Sequence, residues 1–324
     1  MKRYFAVRSL QTVFMLWLVL TALFVLFRSM PGDFTAQMAA AGANEAALEQ
    51  IREQWGLNDP LYVQYWDYVT NLASGNLGES PIYRVDVWEF VKLRMFNTFI
   101  LVAPAMTVTY LFGALVGTVA GSKRGSLLER VGIVPVIAVG SFPAFFTSIV
   151  LVVVFADILN LFPTSGMLSA TSATGGTWWA PYLTMDFASH YVLPFFAVFL
   201  RYLFIPSLIM RTSVVEVMGQ DHTAYHRLTG LPLVSRLRHV AKHASLPVIT
   251  IYPVSLARAL GGVVLIETVF NWPGIGFTLV EAVLGRDYPV VQFVFFVVAT
   301  FVILSNFVVD LVYGVIDPRI RIDD

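Results

Sequence analysis

The chain has 324 residues, 57% of them hydrophobic and only 13% charged, which is too apolar for a soluble domain that must cover its surface with polar groups. Lys+Arg and Asp+Glu balance at 21 each, so net charge points to no nucleic-acid or anionic-surface partner. With no cysteine there can be no disulfide, thiolate nucleophile or Cys-metal site.

A helix needs about 20 mostly apolar residues to cross the hydrocarbon core of a bilayer. Six runs meet this requirement: residues 6–27, 97–120, 131–155, 191–210, 248–268 and 291–315. The first exceeds the apolar region of a signal peptide and has no small-x-small cleavage pattern before Met30-Pro31, so it is read as a retained span. Between it and the second lies a long segment with its own helical signals. Asn44 followed by EAALEQIREQWG reads as an N-capped helix stopped at Gly56, and LYVQYWDYVTNLASG as a second, amphipathic helix ending at Gly75. Asp86 to Glu89 has capping-box spacing and predicts a helix that runs on into the second span. Pro143 and Pro206 can break the helical ladder of the third and fourth spans. Gly261-Gly262 permits close helix contact in the fifth. ETVFNWPGIG, from Glu267, reads as a re-entrant turn followed by a helix at the outer interface, with Trp272 as an interface anchor.

Lys and Arg set the orientation. With the N-terminus in the cytoplasm, 13 basic residues fall on that side and six on the other, while Arg201 and Arg258 lie within spans. Both termini are therefore predicted inside. The stretch HTAYHRLTGLPLVSRLRHVAKHASLP, which begins at His222 and holds four histidines, three arginines, a lysine and no acid, then faces the cytoplasm. His222 and His226 stand in i, i+4 spacing, but no carboxylate completes a metal site beside them, and no metal is expected. Helical propensity broken at Gly230 and Leu231-Pro232 predicts a short helix, a tight turn and a second helix returning to the membrane. The basic residues of this loop either hold it in the cytoplasm or face an acidic partner.

No phosphate-binding loop G-x-x-x-x-G-K-[ST] occurs, nor H-E-x-x-H, a G-x-S-x-G elbow or paired carboxylates within a span. The chain is not expected to be an enzyme or to carry a cofactor. Arg201 and Arg258 each cost about 2.5–3.5 kcal/mol near a helix centre on insertion scales, so each should face a cavity or a partner. With Glu267 and Asp310 they are translocation-pathway candidates; alternatively they form structural pairs with those two acids, or Arg201 snorkels to the interface.

RTSVVEVMGQDHTAYHRLTGLPLVSRLRHVAKHASLPVI, residues 211–249, resembles the EAA loop of ABC importer permeases, in the subfamily that moves dipeptides and oligopeptides. Asp221, Gly230 and Leu246-Pro247 match the pattern. The motif's glutamate position is Ala224 and its two alanines are Tyr225 and His226, which departs from it. PGDFTAQ from Pro31, GLNDPLYVQYWDYVTNLASGNLGES from Gly56, LNLFPTSGM from Leu159, ETVFNWPGIGFTLVEAVLGRDYPVVQ from Glu267 and NFVVDLVYGVIDPRIR from Asn306 extend the likeness to the B-type permease over nearly the whole chain.

The resemblance implies an all-α membrane protein of six transmembrane helices in the plasma or inner membrane. Residues 1–27 would form the cytoplasmic N-terminus and first span, 28–95 an external helical segment, and 96–324 a five-span core with its coupling loop at 211–247. It implies a coupling helix, with Asp221, Ala224, Tyr225, His226, Arg227, Thr229, Gly230 and Leu231 meeting a separate ATPase. The implied partners are a homologous second permease, two ATP-binding subunits that carry ATP and Mg, an external solute-binding protein and membrane lipid. Peptides are the implied substrate; nickel complexes, glutathione or oligosaccharides are alternatives within the same machinery. A gradient-driven secondary transporter is the rival class, for which inverted repeats and in-span relays should be visible; no convincing repeat is, and Asp310, the one in-span carboxylate near a relay position, is placed close to the cytoplasmic face.

Overall fold

The computed structural model describes residues 2–29, 44–54, 58–169 and 177–316. PGDFTAQ from Pro31, the stop at Gly56 and the tail from Asp317 lie outside them. The described residues are helical with no β-strand. In chain order the helices are α1 (Lys2–Ser29), α2 (Glu45–Gln54), α3 (Leu61–Ser74), α4 (Val87–Ser122), α5 (Leu127–Ser141), α6 (Ala144–Leu151, continued by a π-helical turn, Val152–Ile158), α7 (Met185–Tyr202), α8 (Phe204–Met218), α9 (Asp221–Leu228), α10 (Leu233–Ala244), α11 (Leu246–Gly262), α12 (Val264–Phe270), α13 (Ile275–Leu284) and α14 (Tyr288–Ile316). Three of them are long and apolar enough to cross a membrane, within α1, α4 and α14. Three bent pairs raise the number of candidate spans to six.

The bends correct the reading of residues 131–155 as one continuous span. α5 and α6 meet at 104°. Phe142 sits before Pro143 and is extended at φ −74°, ψ 147°, because the proline ring disfavours the α region in the residue ahead of it. α7 and α8 bend by 41° at Leu203, three residues before Pro206, whose missing N–H leaves the carbonyl four residues back without its helical donor. α10 and α11 bend by 52°, and Pro247 occupies the first turn of α11, where a proline needs no donor.

The chain divides into two compact units. In the first, Met1–Phe96 with Thr278–Asp324, α1 lies along α14, and Arg8 reaches Asp310 at 3.5 Å. Phe24 packs edge-on against Tyr65 of α3, and the Thr21 and Tyr65 hydroxyls share a hydrogen bond of 2.8 Å. Gly75 closes α3 in the left-handed region at φ +80°. Asp86 accepts from the Glu89 N–H at 3.1 Å as the N-cap of α4. The turn 79–86 is clasped to the 284–287 turn through a buried pair, the Ser80 hydroxyl donating to Asp287. Burial pushes the Asp287 carboxyl upward, while the Ser80 hydroxyl and the Val290 N–H work against that shift.

The second unit, Asn97–Phe277, holds a continuous apolar core through Leu101, Met106, Val198, Met210, Val214 and Ile266. Its tightest contact is α4 on α8. Gly113, Gly117 and Gly121 stand one turn apart along α4, and a Cβ on any of them would lie within 2.5–2.7 Å of Pro206, Ser207 or Arg211. Side chains this small let two backbones meet at a distance no other residue permits. Within α4, Pro104 removes the donor for the Ile100 carbonyl, and the Tyr191 hydroxyl of α7 takes its place at 2.9 Å. Tyr191→Phe is therefore expected to lower stability by about 0.6–1.7 kcal/mol, the range for hydrogen bonds between transmembrane helices. Thermal unfolding of the detergent-solubilised protein reads that shift; an unchanged midpoint would mean that the carbonyl finds another donor.

Candidate functional site

The loop after α8 begins with a tight turn. Gly219 and Gln220 turn the chain, and α9 follows as eight residues, Asp221–Leu228. Thr223 anchors it: only 2% exposed, its hydroxyl donates to the Val217 carbonyl at 2.9 Å. α9 ends at Gly230, in the left-handed region at φ +71°, a conformation open to glycine and costly for a β-branched residue. Pro232 then starts α10, which returns along α8 and buries Val240 and Ala244.

The outer face of this hairpin is apolar. Tyr225 is 65% exposed, Leu228 86%, Leu233 54% and Val234 78%, on a loop otherwise rich in basic side chains. Asp221, Thr229 and Gly230 are exposed and Leu231 half-buried. The side chains of His222, Ala224, His226 and Arg227 lie outside those described, although α9 carries them all. Sequence reading put weight on the basic residues and missed Leu228, Leu233 and Val234. The signal was there: apolar residues flanking Gly230 where a solvated loop has no reason to keep them.

The charged pathway candidates separate. Glu267 is fully buried. Its Oε1 accepts from the Thr98 hydroxyl at 2.6 Å and its Oε2 from the Phe277 N–H at 2.9 Å. No cation lies within ion-pair distance of it among the described residues. Around this carboxylate the segment 271–277 wraps onto α4. The Thr98 hydroxyl oxygen also accepts from the Ile275 N–H at 2.8 Å, and the Asn97 amide donates to the Pro273 carbonyl at 2.8 Å. The Tyr182 hydroxyl donates to the Asn97 side-chain oxygen at 2.5 Å. A Cβ at Gly274 would overlap the Glu267 carboxylate, so glycine is required there.

Trp272 is corrected by the same network. It is no interface anchor: fully buried, its indole N–H donates to the Asn97 carbonyl at 3.0 Å, and its ring packs against Phe187 and Tyr191. A tryptophan buried to this degree must pair its N–H within the protein, and the Asn97 carbonyl of α4 supplies the partner.

Arg201, half-buried at the end of α7, points Nη1 at the Gly140 carbonyl at 3.4 Å, in the last turn of α5, where unpaired carbonyls attract a cation. Arg258 is exposed on α11, with no carboxylate within ion-pair distance among the described residues. Asp310 is half-buried on α14 beside Arg8. Among the described residues, no three His, Cys, Asp or Glu side chains converge as metal ligands.

Long apolar helices and proline-bent helix pairs define the class of multi-pass membrane proteins. The chain belongs to the family of binding-protein-dependent transport system inner membrane components. That family's model matches residues 110–322, and the model of its N-terminal part matches residues 1–82. The chain is similar to a di/tripeptide transport system permease protein of Pseudomonas aeruginosa, 38% identical over 312 residues and 92% of each chain. A glutathione transport system permease protein of Pectobacterium atrosepticum is 32% identical over 322 residues and 99% of each chain. A probable peptide ABC transporter permease protein of Sinorhizobium fredii is 33% identical over 320 residues, 98% of this chain and 99% of its own. The protein is thus a permease component of a binding-protein-dependent ABC importer and a multi-pass inner-membrane protein.

Proposed function

We propose that the chain forms half of the translocation pathway of a short-peptide importer and that α9 is its coupling helix, seated in a groove of a separate ATP-hydrolysing subunit. The observation that carries this reading is the exposed apolar set Tyr225, Leu228, Leu233 and Val234 around Gly230. A solvated loop gains nothing by displaying it, whereas a partner's groove would bury it. In this arrangement the chain crosses the membrane six times with both ends in the cytoplasm, residues 28–95 stand outside, and ATP with Mg binds to the partner subunits. A second, homologous permease completes the pathway, two ATPases sit below, and a solute-binding protein delivers substrate from outside.

Asp221, Ala224, Tyr225, His226, Arg227, Thr229, Gly230 and Leu231 supply the docking element. Arg201, Arg258 and Asp310 remain the residues to test along the pathway, with Arg258 the most accessible. Glu267 serves the wall rather than the passage, since its oxygens are taken by Thr98 and a backbone amide.

Short peptides are the substrate class supported by the di/tripeptide and peptide permeases; glutathione, a modified tripeptide, is the second reading and is supported by the glutathione permeases. The docking test is Leu228→Asp with Val234→Asp. Burial of each apolar side chain contributes about 1.5–3 kcal/mol, so the pair should lower ATPase co-purification at least tenfold while membrane insertion is unchanged. Undiminished co-purification would remove the coupling assignment. Uptake of labelled dipeptide against labelled glutathione, with the cognate binding protein, decides between the substrates.

A further inference from the structure

A docking helix can transmit movement only if it is stiffly joined to the spans, and two polar contacts make that joint. The first lies at the α5 end of the second unit. Arg211 of α8 gives both its Nε–H, at 2.7 Å, and an Nη2–H to a single oxygen of Glu129, in the first turn of α5. The other Glu129 oxygen accepts the N–H of Gly125, in the α4–α5 turn, and the Ser126 hydroxyl oxygen caps α5 by accepting the Glu129 N–H at 3.3 Å. The pair is largely shielded, with 13% of the Glu129 side chain and 32% of that of Arg211 exposed. The backbone of Arg211 lies against α4 as well: a Cβ at Gly117 would stand 2.8 Å from its N and one at Gly121 2.7 Å from its O. Arg211 is thus held from two directions.

The second contact is the buried hydroxyl of Thr223 on the Val217 carbonyl, near the end of α8, which ties α9 back to the helix it follows. Between the two contacts α8 runs without a break from Arg211 to Met218.

We propose that the Glu129–Arg211 ion pair and the Thr223–Val217 hydrogen bond form a strut that makes α9, α8 and the α4–α5 turn move as one body, so that displacement of α9 reaches the spans. Thr223, Arg211 and Glu129 are positioning residues: each acts by fixing the direction in which α9 pushes. A flexible joint would let α9 follow the ATPase while the spans stayed still. The signature of a broken strut is then ATP hydrolysis without transport. The inference rests on α9 being the docking helix.

The test uses the assembled complex with its ATPases, second permease and binding protein in liposomes, and reads uptake per ATP hydrolysed. Thr223→Val keeps the shape and removes the hydroxyl; Glu129→Gln keeps an acceptor for Gly125 and removes the charge. Each is expected to leave ATPase co-purification intact and ATP turnover within about twofold of wild type, while uptake per ATP falls at least tenfold. Thr223→Ser should restore it, as should the charge swap Glu129→Arg with Arg211→Glu to within a few-fold. Uptake per ATP equal to wild type in both single variants overturns the strut. So does a parallel fall of uptake and hydrolysis that neither Thr223→Ser nor the swap repairs, which marks a residue needed only for folding. Failure of the docking reading is separately visible, as retention of the ATPases by Leu228→Asp with Val234→Asp.

Discussion

Glu267→Ala is expected to lower the stability of the folded protein by about 3–5 kcal/mol, among the largest effects available to a single substitution here. Its carboxylate is the common acceptor for the Thr98 hydroxyl and the Phe277 N–H, and it is fully buried. Removing it leaves buried donors without partners, each costing about 1–3 kcal/mol, and opens a void where the carboxylate stood. The segment 271–277 then loses its hold on α4, so transport should fall with stability. Glu267→Gln keeps the volume and one acceptor but turns an NH2 toward a neighbouring donor, and should cost about 1–2 kcal/mol. The order wild type, Gln, Ala in the midpoint of thermal unfolding checks this. A Glu267→Ala midpoint matching wild type would show that Asn97, Thr98 and Trp272 hold the segment without the carboxylate.

The second large effect belongs to Gly117. A Cβ there would lie 2.5 Å from the Ser207 carbonyl oxygen, 2.7 Å from Met210 Cβ and 2.8 Å from the Arg211 nitrogen. Two of these atoms are backbone and have no rotamer by which to yield, so even Gly117→Ala must push α4 and α8 apart, at about 1–3 kcal/mol. Gly117→Val adds two methyl groups to the same gap and should prevent accumulation of folded protein. Gly132, on α5, supplies the control, because the nearest atom to a Cβ there is 3.9 Å away. Gly132→Ala should be neutral or stabilise by up to about 1 kcal/mol through helix propensity alone. Equal yields of folded Gly117→Val and Gly132→Ala, measured by size-exclusion chromatography in detergent, would rule out the close helix contact.

Local chemistry was readable from the residues themselves. Gly75 and Gly230 mark chain reversals, and both take the left-handed φ that glycine tolerates. Asp86 with Glu89 reads as a helix start, and the amide of Glu89 does meet the Asp86 carboxylate. Leu246-Pro247 announces α11, which begins there. In each case the cause and the effect lie within one turn of chain.

What escaped depends on residues far apart. Glu267 finds Thr98 across 169 positions, and nothing in ETVFNWPGIG says that its acid will be satisfied by a threonine on another helix. Trp272 was placed at the interface by the statistics of aromatic belts, while its burial is decided by Phe187, Tyr191 and the Asn97 carbonyl. The 104° bend between α5 and α6 follows from Pro143, but a proline can also kink a helix mildly, and the size of the angle is set by packing. Gly113, Gly117 and Gly121 were spaced for a close contact in plain view, yet Gly261-Gly262 drew the attention. Leu228, Leu233 and Val234 were hidden by the charges around them.

The glycine track on α4 also bears on how the chain is made. The surface it exposes fits closely against α8, and α8 leaves the ribosome some ninety residues later, about 5–20 s at ordinary rates of synthesis. During that interval α4 has a groove of bare backbone along the side that α8 will cover. A chain that stalls before Pro206 lacks the surface that fills this groove, so the α4 face can be completed only after α8 has been made.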